Sequence, residues 1–208
     1  MNQATGMHLD CTASEDVRHA CAFFNGEDEA YRTLLPFIAE GFTRGEKAVH
    51  IITPDQESRH LARLAEAGID LPAARERGQL DVRRNDDVYL SGGRFDQDRM
   101  VAAFEAMAGG DGTFPISRIV CNMDWAGQSP HHEELIEFEA RVNEIWRRHR
   151  DIVICVYDLK MLSGDMLIDI LRTHPMVLIG DAVQQNPFFI EPGAFLRARR
   201  GEIAGTGR

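Results

Sequence analysis

Cys155 and Tyr157 lie two apart in the run Ile154-Cys155-Val156-Tyr157-Asp158. The period-2 geometry of a strand puts both side chains on one face. His19 and Cys21 pair in the same way in an earlier apolar run, and His174 precedes Pro175. Thiolate and imidazole together suit zinc or copper. A redox- or metal-responsive sensor built on Cys155, His174, Cys21 and His19 is therefore one reading. Their spacing is not diagnostic of a metal site, so no metal and no cofactor is assigned. A buried free cysteine ordinarily serves as a small apolar filler. Cys155, His174 and Asp158 also supply the residue types of a thiol hydrolase. A nucleophilic thiol needs an exposed, electropositive setting, and Cys155 lies in the most apolar run of the chain. The expectation is a non-enzyme with no catalytic residue.

Phosphate chemistry is disfavoured by charge. A nucleotide hydrolase of this layout would carry G-x-x-x-x-G-K-[ST] after its first strand, because backbone N–H groups and a lysine must neutralise phosphates. That place holds Asn25-Gly26-Glu27-Asp28-Glu29. Acids there repel a triphosphate at close range. Asp124, at the end of the fourth strand, then reads as a turn or capping residue. Trp125, Tyr157, Phe188 and Phe189 are aromatics near strand ends or loops, where they could line an apolar pocket or fill the core.

The elements that must position these residues alternate. Strands are expected at His19 to Phe24, Ala48 to Ile52, Gln79 to Arg83 (an edge), Ile116 to Met123 and Ile152 to Tyr157 (central). Helices are expected after Asn25-Gly26, after Pro54-Asp55, after Pro72, from the cap at Asp96, over Pro130 to His149, and over Ser163 to Leu171. Pro36 interrupts the first with a kink or a late start. Met176 to Ile179, Gly180-Asp181 and Ala182 to Gln184 read as a closing hairpin. This order implies an α/β fold, a mostly parallel sheet flanked by helices on both faces. Residues 1–16 read as a flexible arm, 17–196 as a single domain, and 197–208 as a flexible tail.

The 208 residues carry 33 acidic and 23 basic side chains, a formal charge of -10. That balance argues against binding nucleic acid, whose phosphates need basic partners, and against anionic lipid. No apolar run reaches spanning length. The start of the chain lacks a basic-then-apolar leader pattern, so a cytoplasmic protein with reduced thiols is expected.

Several segments in order resemble the MEDS domain, a sensory domain of methanogens, methylotrophs and a regulator of dichloromethane degradation. They are His19, Pro36-Phe37, Gly41, Gly45-Glu46, Gly78-Gln79-Leu80, Arg118 and Met123-Asp124-Trp125. Glu139, Asn143, Cys155-Val156-Tyr157-Asp158, Arg172-Thr173-His174-Pro175 and Asn186-Pro187-Phe188 complete the series. Cys121-Asn122 departs from the Gly-Glu often found there. The resemblance implies a RecA/KaiC-like fold without a working P-loop, and a sensor of small, often hydrocarbon-derived molecules. It suggests that His19, Cys155, Tyr157 and His174 belong to the sensing pocket. The expected site adds Asn25, Glu27, Trp125, Asp158 and Phe188. No segment reads as an output module, so output is expected through a protein partner or a homodimer. A degenerate nucleotide-binding protein remains an alternative reading.

Overall fold

The computed structural model describes residues 18–109, 112–180 and 182–201. The expected arm, Cys11, Asp181 of the expected hairpin turn and residues 202–208 lie outside the described residues. The chain runs β1 (His19–Phe24), α1 (Glu27–Thr43), β2 (Lys47–Ile52), α2 (Glu57–Glu66), α3 (Leu71–Glu76), β3 (Leu80–Arg84), α4 (Asn85–Val88) and α5 (Gln97–Met107). It continues through β4 (Ser117–Asn122), α6 (His132–Arg148), β5 (Ile152–Asp158), α7 (Gly164–Thr173), β6 (Met176–Ile179), β7 (Ala182–Gln185) and α8 (Pro192–Arg199). The strands form one sheet in the order β3-β2-β4-β5-β1-β6-β7. All pairs are parallel except β6–β7, which is antiparallel. The expected α/β sheet with a closing hairpin is thus present, with β5 central and β3 at the edge.

Alternation along the strands makes two cores. Cys21, Val49, Ile119, Val153 and Cys155 face one side, where α5, α6, α7 and α8 pack. Ala22, Ala48, Val120, Ile154 and Val156 face the other, under α1, α2 and α3. Strands buried on both faces read as nearly unbroken apolar runs, which is why β1 and β5 lack visible alternation. On α6, Leu135, Phe138, Val142 and Ile145 recur at helical spacing and are buried. Each large side chain so buried contributes about 1.5–3 kcal/mol.

Local chemistry sets the boundaries. Gly26, at φ 114°, turns the chain from β1 into α1 in a conformation closed to most L residues. α1 passes through Pro36 without a break in its helical assignment. Asp96 caps α5 as expected, accepting from Arg99 N at 3.0 Å. Ser163 caps α7, accepting from Met166 N at 3.2 Å. Ser163→Ala should cost about 1 kcal/mol of stability; urea unfolding would measure it. The stretch from Arg197, read as loose, begins inside α8, whose Phe195 is buried against the first core. Pro at the first turn with Phe195 one turn on was the available signal.

The segments shared with the resemblance turn out to lock the sheet to α1. Arg118 is 2% exposed. Its Nε donates to Glu46 Oε2 at 2.5 Å, and its Nη1 donates to Phe37 O at 2.5 Å and Glu40 Oε2 at 3.1 Å. Gly41 makes room for it, since a Cβ there would stand 2.8 Å from Arg118 Cδ. Gln79 Nε2 donates to the carbonyls of Phe42 and Glu46.

Candidate functional site

Six of the expected site residues fall in two places on opposite faces of the sheet. The first is a buried polar cluster between the sheet and α6. Cys155 and Tyr157 project from β5 and His19 from the start of β1, as their period-2 spacing requires. Glu139 enters from α6, and His174 from the turn between α7 and β6. His19, Glu139, Cys155 and His174 are 2%, 1%, 4% and 0% exposed. Cys155 Sγ lies 3.4 Å from His19 Nε2. Glu139 Oε2 lies 3.5 Å from His19 Nε2 and 3.5 Å from His174 Nε2. Tyr157 O–H donates to Glu139 Oε1 at 3.3 Å.

The protonation of both rings follows from their other nitrogens. Asn143 Nδ2 donates to the carbonyls of Glu139, Ala140 and Thr173, which leaves Asn143 Oδ1 as an acceptor. His19 Nδ1, 3.2 Å from that oxygen, must donate. His174 Nδ1 faces the carbonyl of Ile170 at 2.8 Å and must also donate. In the neutral rings both Nε2 atoms then present lone pairs toward Glu139. Burial, together with nearby His19, lowers the His174 pKa to about 3. A proton added at Nε2 instead turns that lone pair into a donor, and despite the opposing cost of burial the hydrogen bond from a protonated His19 and the charge of protonated imidazoles keep the Glu139 pKa below the usual glutamate value.

The thiols are not built for nucleophilic attack. Cys121, Cys155 and Cys21 stand in register across β4, β5 and β1, all buried and unbridged. The neighbouring Cys121, burial and the Glu139 charge push the Cys155 thiol well above its ordinary value. Burial raises Cys21 likewise. A thiolate is disfavoured at both in the absence of a cation.

The second place is a crevice at the carboxyl ends of the strands. β1 leads into α1 on one face while its neighbour β5 leads into α7 on the other. β2 and β4 diverge in the same way, toward α2 and α6. Ligand crevices form where neighbouring connections part like this. Phe24, Leu34, Ile38, Ile52, Val120 and Val156 supply apolar walls, with Glu27, Asn122, Asp124 and Asp158 at polar positions. The cavity volume is about 70 Å³. Along it runs a hydrogen-bonded chain: Tyr31 Oη lies 2.8 Å from His60 Nδ1, and His60 Nε2 lies 2.8 Å from His50 Nδ1. His50 Nε2 is buried and has no hydrogen-bond partner among the described residues. Burial holds the His50 pKa well below its ordinary value and lowers that of His60 to about 4.

Of the expected residues, Glu27 and Asp158 line this crevice, and Tyr157 reaches it at its edge. Asn25 instead binds Glu29, whose Oε2 accepts from its N–H at 2.7 Å and from its Nδ2 at 3.2 Å. Trp125 packs on Tyr89 and Phe95 at the end of the first core. Phe188 is 63% exposed and does not line the crevice. His19, Cys155 and His174 form the buried cluster, across the sheet from the crevice. A single pocket holding Tyr157, His174, Trp125 and Phe188 together is therefore not what the fold builds. Asp124 serves the turn, its Oδ1 accepting from Asp158 N at 2.9 Å and its Oδ2 from Asn122 Nδ2 at 2.8 Å.

Sequence reasoning left Glu139 and Asn143 out of the site, although a carboxylate among Leu135, Phe138 and Val142 on one helical stripe signals a buried charge. It also left out Tyr31, His50 and His60. His50 stands alone in the apolar run Ala48 to Ile52, which was its signal.

Solved structures similar to the chain include the following two. The flagellar accessory protein FlaH from Methanocaldococcus jannaschii is 13% identical with a TM-score of 0.45, over 80% of this chain and 76% of that one. ATPases 2 and 3 of EssC from Geobacillus thermodenitrificans are 12% identical with a TM-score of 0.38, over 78% of this chain and 32% of that one. No curated protein matches the sequence. A family model described as MEDS, the MEthanogen/methylotroph, DcmR Sensory domain, matches residues 18–175. That span holds the whole of the buried cluster and the crevice, and on it the chain belongs to the MEDS family of sensory domains.

Proposed function

We propose that the chain is a sensory module that binds a small, uncharged organic molecule in the crevice, and that a protein partner carries the output. The observation behind this reading is the lining of the crevice. Apolar walls surround one polar chain, Tyr31–His60–His50, that ends on a buried nitrogen with no hydrogen-bond partner among the described residues. A mostly apolar cavity with a few placed polar groups suits a small ligand and fixes its orientation. Glu27, Asp124 and Asp158 set the crevice against an anion, and the turn at Asn25-Gly26 supplies no phosphate cradle. The volume is about half that of a cavity of about 150 Å³ that admits benzene, which points to a molecule of few heavy atoms. Occupancy would be transmitted only if the ligand prefers one arrangement of α1 and α2 over another. Among the described residues, no helix is long and apolar enough to cross a membrane.

Calorimetry and thermal shift against small alcohols, ketones and haloalkanes, with ATP and magnesium as the counter-probe, test this. At least one neutral compound should raise the Tm of the native chain. The shift should vanish in Ala30→Phe, which places a ring among the crevice-lining residues. Tight ATP binding, or no response to any neutral compound, would sink the proposal.

A further inference from the structure

We propose that His19, Glu139, Cys155 and His174 form a closed, four-coordinate site for a divalent cation of the zinc class. This does not rest on the crevice reading, since the two places lie on opposite faces of the sheet. Four ligand atoms, one from each residue, lie within 4.8 Å of one another. Zinc bonds of about 2.3 Å to sulfur and about 2.0–2.2 Å to nitrogen or oxygen put tetrahedral ligand atoms about 3.3–3.6 Å apart. The cluster already shows 3.4 Å from His19 Nε2 to Cys155 Sγ, and 3.5 Å from Glu139 Oε2 to each Nε2.

Three further observations point the same way. Both imidazoles donate their Nδ1 protons, to Asn143 Oδ1 and the Ile170 carbonyl, so both Nε2 lone pairs aim into the cluster. Holding a ligating histidine by its other nitrogen is the usual outer shell of a metal site. Glu139 Oε2 and His174 Nε2 are buried without a hydrogen-bond partner of good geometry among the described residues. Lone pairs that converge in a buried space repel unless a cation lies between them, and burial makes that repulsion costly. The charge also closes: one carboxylate and one thiolate offset a divalent ion, which leaves a neutral buried unit.

The chemistry of the set selects the ion. Two imidazoles, a thiolate and a carboxylate match the borderline-soft, tetrahedral preference of zinc rather than the all-oxygen shells of magnesium or calcium. All four groups are buried, so the coordination has no open position for a substrate. The site therefore holds rather than catalyses. It would pin α6 and the α7–β6 turn to β1 and β5, and loading would brace the sheet face opposite the crevice.

The full chain, purified without chelator, should carry about one zinc per molecule by elemental analysis. Zinc stripped by a strong chelator and replaced with cobalt should give the intense visible bands of tetrahedral cobalt, with a thiolate-to-cobalt charge-transfer band. Cys155→Ser should lose the charge-transfer band while circular dichroism keeps the helix signal. Asn143→Ala should weaken zinc about 10–100-fold through the freed His19 ring. The native spectrum decides even if both variants misfold. A chain that takes up neither zinc nor cobalt overturns the proposal and leaves a proton shared between the imidazoles and Glu139. So does an octahedral cobalt spectrum, or a charge-transfer band that survives in folded Cys155→Ser.

Discussion

Arg118→Ala should destabilise the chain by about 3–5 kcal/mol, the cost of leaving a buried partner charge uncompensated. Arg118 is 2% exposed and its ion-pair partner Glu46 is nearly as buried. Removing the guanidinium strands the Glu46 carboxylate and frees the Phe37 carbonyl inside α1. It also removes a cation 4.3 Å above the Phe37 ring. For a chain of this length the fall in Tm should be roughly 6–20 °C. A double variant, Arg118→Met with Glu46→Leu, should recover much of the loss, because replacing a buried ion pair by apolar groups is often close to neutral. Thermal and urea unfolding of the three chains measure the coupling. A cost for Arg118→Ala below about 1 kcal/mol would assign it the weight of an exposed salt bridge and refute this account.

Arg118 also illustrates what the sequence makes legible. The sheet was readable because strands buried on both faces leave long apolar runs, and β5 is the most apolar of them. Pairing within a strand was readable too, since period 2 alone places Cys155 with Tyr157 and His19 with Cys21. Which residues from different elements meet was not. Glu139 comes within 4.8 Å of Cys155 only because α6 crosses the same sheet face, and His174 arrives from the end of α7. His60 reaches His50 because α2 returns over β2. Such meetings depend on which face each helix takes, a choice made by tertiary packing rather than by local spacing. The same ignorance merged the two sites into one pocket. Val156 faces α1 and α2 while Cys155 faces α6, so neighbouring residues of one strand serve separate places. Gly41 was visible among the segments of the resemblance, but its reason, the close passage of Arg118, belongs to another strand.

Acid should weaken the crevice between pH 6.5 and about 4. His60 is buried against Tyr31 and His50, and burial lowers its pKa from 6.5 to about 4. Above pH 6.5 the ring is neutral in both the folded and the unfolded chain, so proton uptake does not discriminate. Between pH 6.5 and about 4 the unfolded chain binds a proton that the folded chain refuses. The His60 contribution to stability therefore falls with falling pH across that window and levels off below it. At 1.36 kcal/mol per pH unit, His60 alone accounts for about 3 kcal/mol of loss. His50, held well below its ordinary value by burial and by His60, adds in the same direction. His60→Gln keeps a neutral hydrogen-bonding side chain beside Tyr31 and removes the titration. Its stability should be flatter than that of the native chain through this window, with the difference measured by urea unfolding at successive pH values. Crevice ligands should bind more weakly as the pH approaches 4 in the native chain, because a charged His60 would place a cation along the apolar wall. Parallel pH profiles for the native chain and His60→Gln would show that His60 is not the group that titrates, and would take the pH dependence away from the crevice.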